Sequence, residues 1–261
     1  MTTSALGRAR RTALAGALCV GLVAGMTGLV GCGAEEDPDA GTNGVGKLSA
    51  AKIQRKAQNA AKSANSVRLA GSVVSKGATY KLDMKLTENG GSGEVRFKNR
   101  TFELLRVDGQ LYLKADADFW ASEGDSSQGG RGQGKPDSAD ELAADKLDGK
   151  YVKVPEGDPA YKQLSGFTDK GLLLDGLLTL HGTLSAGERG TADGKRTVEV
   201  SGDKGAGGTL HVSLEGTAYP LRLERAGGAG TLLLTDWGKD FAFRKPDASH
   251  TVDYGKQLPT S

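Results

Sequence analysis

Hydrophobic and polar residues alternate along most of this chain, as strands do when one face is buried and the other meets water. Val67, Leu69 and Val73 are interleaved with Arg68, Ala70 and Ser72, and Tyr80, Leu82, Met84 and Leu86 with Lys81, Asp83 and Lys85. A turn is expected over Glu88–Gly93, after which Val95 and Phe97 alternate with Glu94, Arg96 and Lys98, and Asn99-Arg100 turns the chain again. Between the runs Phe102–Val107 and Gln110–Lys114 stands Asp108-Gly109, a two-residue hairpin signal. That turn fixes the register: Val107 opposes Gln110, Arg106 opposes Leu111 and Leu104 opposes Leu113. Phe102, Leu104, Leu111 and Leu113 then share one face. The pattern returns in Lys150–Val154, Val198 and Val200, Leu210–Leu214, Leu221 and Leu223, and Leu232 and Leu234, with glycine-rich turns at Gly202–Gly208 and Gly227–Gly230.

Two stretches have a helical period instead. Leu48–Ala64 places Ile53, Ala57, Ala60, Ala61 and Ala64 at spacings of three and four behind a capping Ser49. Leu164–Leu180 is dense in leucine and reads as a helix buried on several sides. A short helix is expected around Ala139–Lys146. Ser122–Asp140 has almost no apolar residues and reads as a disordered surface loop. The tail after Pro246 reads as loosely held.

The N-terminus has a different pattern. Arg8, Arg10 and Arg11 precede an uncharged run from Thr12 to Val30, and Leu29-Val30-Gly31-Cys32 closes it. A basic flank, an apolar segment and small residues describe a secretory signal. The cysteine makes the motif resemble a bacterial lipobox, which implies residues 1–31 as signal peptide and Cys32 as the acylated first residue of the mature chain. The competing reading is an uncleaved transmembrane anchor over 12–30. Residues 32–47, acidic and glycine-rich, read as a flexible tether spanning roughly 20 Å, with one folded domain over 48–261.

Removing three arginines and no acids from a net charge of +2 leaves −1, which gives nucleic acid no long-range attraction. Of two cysteines, Cys19 falls in the signal and Cys32 at the lipobox, so the domain holds neither a disulfide nor a thiolate metal site. Forty glycines beside short alternating runs favour a sheet joined by many turns. No G-x-S-x-G elbow occurs. Gly129–Lys135 spells G-x-x-x-x-G-K, but Pro136 stands where magnesium needs a hydroxyl. His181, His211 and His250 lack metal spacing, and His211 is expected to face solvent. Asp116 and Asp118 read as a polar strand end. No enzyme, metal or cofactor is implied.

The lipobox, the helix before Val67, R-V-D-G-Q-L-Y-L-K-A-D-A-D-F-W over Arg106–Trp120, K-Y-V-K-V-P over Lys150–Pro155, the leucine-rich helix and Y-P-L-R-L-E over Tyr219–Glu224 occur in this order. In that order the chain resembles the LolA-like lipoproteins of actinobacteria, the group that includes LprF, LprG and LppX. The resemblance implies an α+β fold: a curved antiparallel half-barrel whose concave face is covered by helices and encloses an apolar cavity for lipids or lipoglycans. It carries over no catalytic residue. On this reading Leu69, Leu82, Met84, Phe97, Leu104, Leu113, Leu173 and Leu177 form the cavity wall, and the protein sits on the extracytoplasmic face of the cell membrane through acylated Cys32. The alternative for the same residues is an ordinary filled core in an interaction or sensory lipoprotein with an envelope protein partner.

Overall fold

A computed structural model describes residues 39–75, 77–98, 100–121 and 138–253. The lipobox, the uncharged run before it, most of the expected 122–140 loop and the G-x-x-x-x-G-K match lie outside them.

Twelve strands form one open sheet: β1 (Ser66–Ser75), β2 (Ala78–Thr87), β3 (Gly91–Phe97), β4 (Arg100–Val107), β5 (Gln110–Ala115), β6 (Tyr151–Val154), β7 (Leu184–Ala192), β8 (Lys195–Gly202), β9 (Thr209–Ser213), β10 (Pro220–Glu224), β11 (Thr231–Thr235) and β12 (Thr251–Val252). Their order is β12-β6-β5-β4-β3-β2-β1-β11-β10-β9-β8-β7, so two antiparallel meanders join where β1 meets β11. The pair β12–β6 is parallel and the other pairs are antiparallel. The hairpin register is the expected one, with Asp108 and Gly109 at φ 51° and 74°, as a type I′ turn requires.

Among the described residues, four helices accompany the sheet besides a helical turn over 117–121: α1 (Ala50–Ser63), α2 (Ser138–Leu147), α3 (Pro159–Ser165) and α4 (Lys170–Leu177). Ser49 occupies the α1 N-cap without a side-chain capping bond, and its carbonyl accepts from Lys52 and Ile53. Ile53, Ala57 and Ala61 have no exposed surface. Their small size lets α1 settle close on β7–β10. The leucine-rich stretch is not one helix but α3, a 3₁₀ turn over Gly166–Thr168 and α4. Asp158 and Asp169 cause the interruptions: each takes an extended conformation and its carboxylate caps the next helix, accepting from Ala160 at 2.7 Å and Leu172 at 2.9 Å.

Two segments expected to be loose are held. Residues 39–47 lie along the sheet: Asn43 donates to the carbonyls of Ser213 and Gly216, Arg189 bridges the Asp39 carboxylate at 2.7 Å and the Gly46 carbonyl at 2.8 Å, and Val45 joins the core. Composition identifies polar, glycine-rich chain; it does not register which carbonyls a single asparagine can reach. The tail after Pro246 also returns to the sheet, with β12 added beside β6 and Lys153 paired to Asp253 at 3.0 Å. Burial pushes the hydroxyls of Tyr112 and Tyr151 up from their usual range.

Candidate functional site

The inner face of the sheet, the one carrying α1 and α4, is built from cross-strand rows. One runs Leu234, Leu69, Met84, Gly93, Leu104, Leu113, Val152 across β11 and β1–β6. A second runs Val200, Leu210, Leu223, Leu232, Gly71, Leu82, Val95, Phe102, Ala115. Glycine interrupts each row where a neighbour comes close. A Cβ on Gly93 would meet the β2 backbone at the Asp83 carbonyl and the Met84 Cα and would lie 2.8 Å from the Met84 sulfur, so β2 and its Met84 side chain together take the space a side chain would need.

The cover is held by polar contacts set into this apolar face. Arg106, on the inner face opposite Leu111, donates to the Thr168 carbonyl at 2.9 Å and lies 3.6 Å from the Asp169 carboxylate. A Cβ on Gly91 would lie 2.9 Å from the Thr168 carbonyl oxygen, so the glycine lets the 3₁₀ turn come close to β3. Lys170, only 5 % exposed, donates to the carbonyls of Lys62 and Ala64 at the C-terminal end of α1. There the cation also meets the negative end of the helix dipole. Gln54 and Gln58 donate to the Leu178 carbonyl at 3.3 and 3.1 Å. α1 and α4 therefore run antiparallel, fastened at both ends.

Of the expected wall residues, Leu69, Leu82, Met84, Leu104, Leu113 and Leu177 lie in one continuous core. Leu69, Met84 and Leu104 have no accessible surface, so no water-sized void touches them. Leu104→Ala is accordingly expected to cost about 2–5 kcal/mol, the range for emptying a filled apolar site, read as a lowered unfolding midpoint. Phe97 and Leu173 are different, being only half-buried. Phe97 stacks on Tyr80 with ring centroids 4.8 Å apart, and Phe167 approaches Tyr80 at 6.0 Å. Tyr80, Phe167, Leu164 and Leu173 are packed against the core while remaining partly in water, and Leu172 is 65 % exposed. This strip joins the interior to solvent. Phe167 and Tyr80 were legible as apolar residues, but their partial exposure depends on how far the cover extends.

The polar candidates go elsewhere. The Asp116 carboxylate accepts from the Phe119 amide at 2.8 Å and caps a helical turn over 117–121. His211 does not face open solvent; its ring is 18 % exposed, with Nε2 3.7 Å from Glu224, because Glu199 and Arg222 flank it across the strands. Among the described residues, no group of three or more His, Cys, Asp or Glu side chains could hold a metal ion. No helix among them is long and apolar enough to cross a membrane.

The sheet order, the open edges and the placement of α1 and α4 on one face can be compared with solved structures. LprF from Mycobacterium bovis matches at a TM-score of 0.50 and 20 % identity, over 76 % of this chain and 96 % of that one. The fold is LprF-like. The Mycobacterium tuberculosis lipoprotein LppX follows at 0.39 and 14 % identity, over 75 % of this chain and 98 % of that one, and a conserved protein from Thermus thermophilus at 0.35 and 8 %, over 78 % and 98 %. No family model and no curated protein matches the chain. The LprF-like arrangement is an α+β fold with a large, mostly antiparallel sheet that does not close, as far as the described residues extend.

Proposed function

We propose that this chain is an extracytoplasmic lipoprotein, moored through acylated Cys32, that binds or transfers the acyl chains of lipids or lipoglycans on the inner face of its sheet. The observation that carries the reading is the half-buried strip of Tyr80, Phe97, Phe167 and Leu173, continuous with the core of an LprF-like fold. An acyl chain gains about 0.8 kcal/mol per buried methylene. Because the core beneath the strip is filled, a chain enters by lifting the 3₁₀ turn and α4 from the sheet, with Leu69, Leu82, Met84, Leu104, Leu113 and Leu177 as the wall it then meets. Apolar walls select chain length weakly, so the ligand range is broad.

A second reading, a non-enzymatic envelope interaction module with a permanently filled core, is favoured by the complete burial of Leu69, Met84 and Leu104. Fluorescent fatty-acid uptake and mass spectrometry of co-purified lipid separate the two. On the first reading Phe167→Asp lowers uptake by roughly tenfold, equivalent to about 1.4 kcal/mol, with the unfolding midpoint of the sheet nearly unchanged. Absence of both uptake and co-purified lipid leaves the interaction module standing. Cys32→Ser tests the mooring by itself. The expected result is release from membranes or an unprocessed precursor of higher mass, whereas unchanged fractionation and mass would point to the transmembrane anchor.

A further inference from the structure

Charge is distributed differently on the two faces of the sheet. On the outer face, turned away from α1 and α4, cations stand beside acids: Arg68 is paired with Asp83 at 2.6 Å, Arg96 with Glu94 at 2.5 Å, Lys114 with Glu103 at 3.2 Å and Lys153 with Asp253 at 3.0 Å. Acid and base offset one another there. α1 is built otherwise, with Lys52, Arg55, Lys56 and Lys62 and no acid. Ile53, Ala57 and Ala61 are buried against the sheet, so the four cations occupy the side turned away from it, where all are exposed. Among the described residues no carboxylate pairs with any of them. The exposed side of α4 adds a single acid, Asp175, and Leu172, which is 65 % exposed. A chain close to neutral as a whole thus keeps one cationic face, over the cover of its sheet.

Chain length limits where that face can go. Arg189 holds the Asp39 carboxylate and the Gly46 carbonyl on one guanidinium nitrogen, and Arg196 donates to the carbonyls of Ala40 and Gly41, each at 3.2 Å. Arg189 stands opposite the core residue Val198, on the face that carries α1, and Gly46 lies three residues before the Ser49 cap. Asp39 is therefore pinned near the N-terminal end of α1. Six residues separate it from Cys32, a reach of at most about 25 Å, little more than the roughly 21 Å length of α1. We infer that the exposed face of α1 docks on the anionic headgroups of the bilayer that holds the acyl chains of Cys32, an inference that rests on the acylation proposed above. Attraction to a charged surface fades over a Debye length of about 8–10 Å, and so short a leash keeps the face at high effective concentration beside it. The apolar side of α1 is already buried in the core, so the contact is one of charge and not of insertion.

The test uses the acylated chain, purified from membranes and reconstituted into vesicles of phosphatidylcholine alone or of equal parts phosphatidylcholine and phosphatidylglycerol. A membrane-impermeant acetylating reagent is added and each lysine is read by mass spectrometry. With phosphatidylglycerol at low salt, Lys52, Lys56 and Lys62 should react at least about tenfold more slowly than on phosphatidylcholine, while Lys81, exposed on the outer face, should not change. High salt should remove the difference. An anionic surface holds each Lys or Arg by about a factor of five, so Arg55→Gln combined with Lys56→Gln should lower the docked population roughly thirtyfold and return Lys52 and Lys62 to near their phosphatidylcholine rates. Flotation with phosphatidylcholine vesicles reports the anchor separately. If the chain does not float, the anchor has failed, and the face is read from flotation with phosphatidylglycerol, which should occur and be abolished by the double substitution. The inference is overturned if phosphatidylglycerol neither protects the three lysines nor floats an unanchored chain, if Lys81 is protected equally, or if the double variant keeps the protection. It is also overturned if soluble poly-L-glutamate protects these lysines where phosphatidylglycerol does not, which assigns the face to an acidic protein.

Discussion

Gly71→Ala is expected to be the most damaging small substitution in the sheet. Gly71 sits in β1 between β2 and β11, paired with both Leu82 and Leu232, at φ +144°, a conformation L side chains rarely adopt. A Cβ there would lie 2.2 Å from the Thr231 carbonyl oxygen and 3.0 Å from the Leu232 Cα. These are backbone atoms, so no rotamer change relieves the contact. Backbone strain of about 1–3 kcal/mol adds to an overpacking cost of about 1–3 kcal/mol, against a total stability of roughly 5–15 kcal/mol. Because β1–β11 is the junction between the two meanders, the loss falls on both. Urea unfolding should show a sharply lowered midpoint at an unchanged slope. Gly190→Ala, where the nearest atom is a Thr197 hydroxyl at 3.8 Å, is the control and should stay within about 0.5 kcal/mol of the parent. Equal midpoints for the two variants would refute the steric account.

Lys170→Met should cost about 1.5–3 kcal/mol, the contribution of hydrogen bonds from a charged group in a buried setting. The methionine keeps most of the apolar stem, so the loss isolates the ammonium. Without it, the Lys62 and Ala64 carbonyls lose the donor that ties α4 to the C-terminal end of α1. Hydrogen exchange should report the change locally, with amides of 170–178 opening before those of β1 and β2. Uniform acceleration across the sheet would mean that Lys170 supports the whole domain and not the cover. On the acyl-chain reading the variant has a second consequence: faster fatty-acid uptake, because the element that must lift is held less tightly.

Alternation was sufficient where one face of a strand is buried and the other wet. It identified β1, β2 and β8–β11, and Asp108-Gly109 fixed the β4–β5 register. β7 escaped notice because an edge strand exposed on both sides carries no alternation; six of its nine residues are exposed. Local pattern assigns Gly91 and Gly93 to a turn, yet both lie inside β3, where the absence of a side chain admits the Thr168 backbone and, at Gly93, the β2 backbone and the Met84 sulfur. Such glycines cannot be told from turn glycines until the approaching atom is known. The same holds for the division of the leucine-rich stretch into α3, the turn and α4. Asp169 could cap or be carried within a helix, and the Arg106 contact beside it comes from a residue 63 positions earlier.

By itself the sequence determined the alternating strands, their apolar face, the hairpin register and a lipobox-like N-terminus, because each depends on neighbours a few residues apart. Only the tertiary structure decided that Leu69, Leu82, Met84, Leu104, Leu113 and Leu177 lie in one filled core, that Phe97, Leu173, Phe167 and Tyr80 are left half in water, and that residues 39–47 and the tail return to the sheet. Burial of a face is set by side-chain period. Whether that face is filled is set by volumes from segments far apart in the chain, a quantity that no local pattern contains.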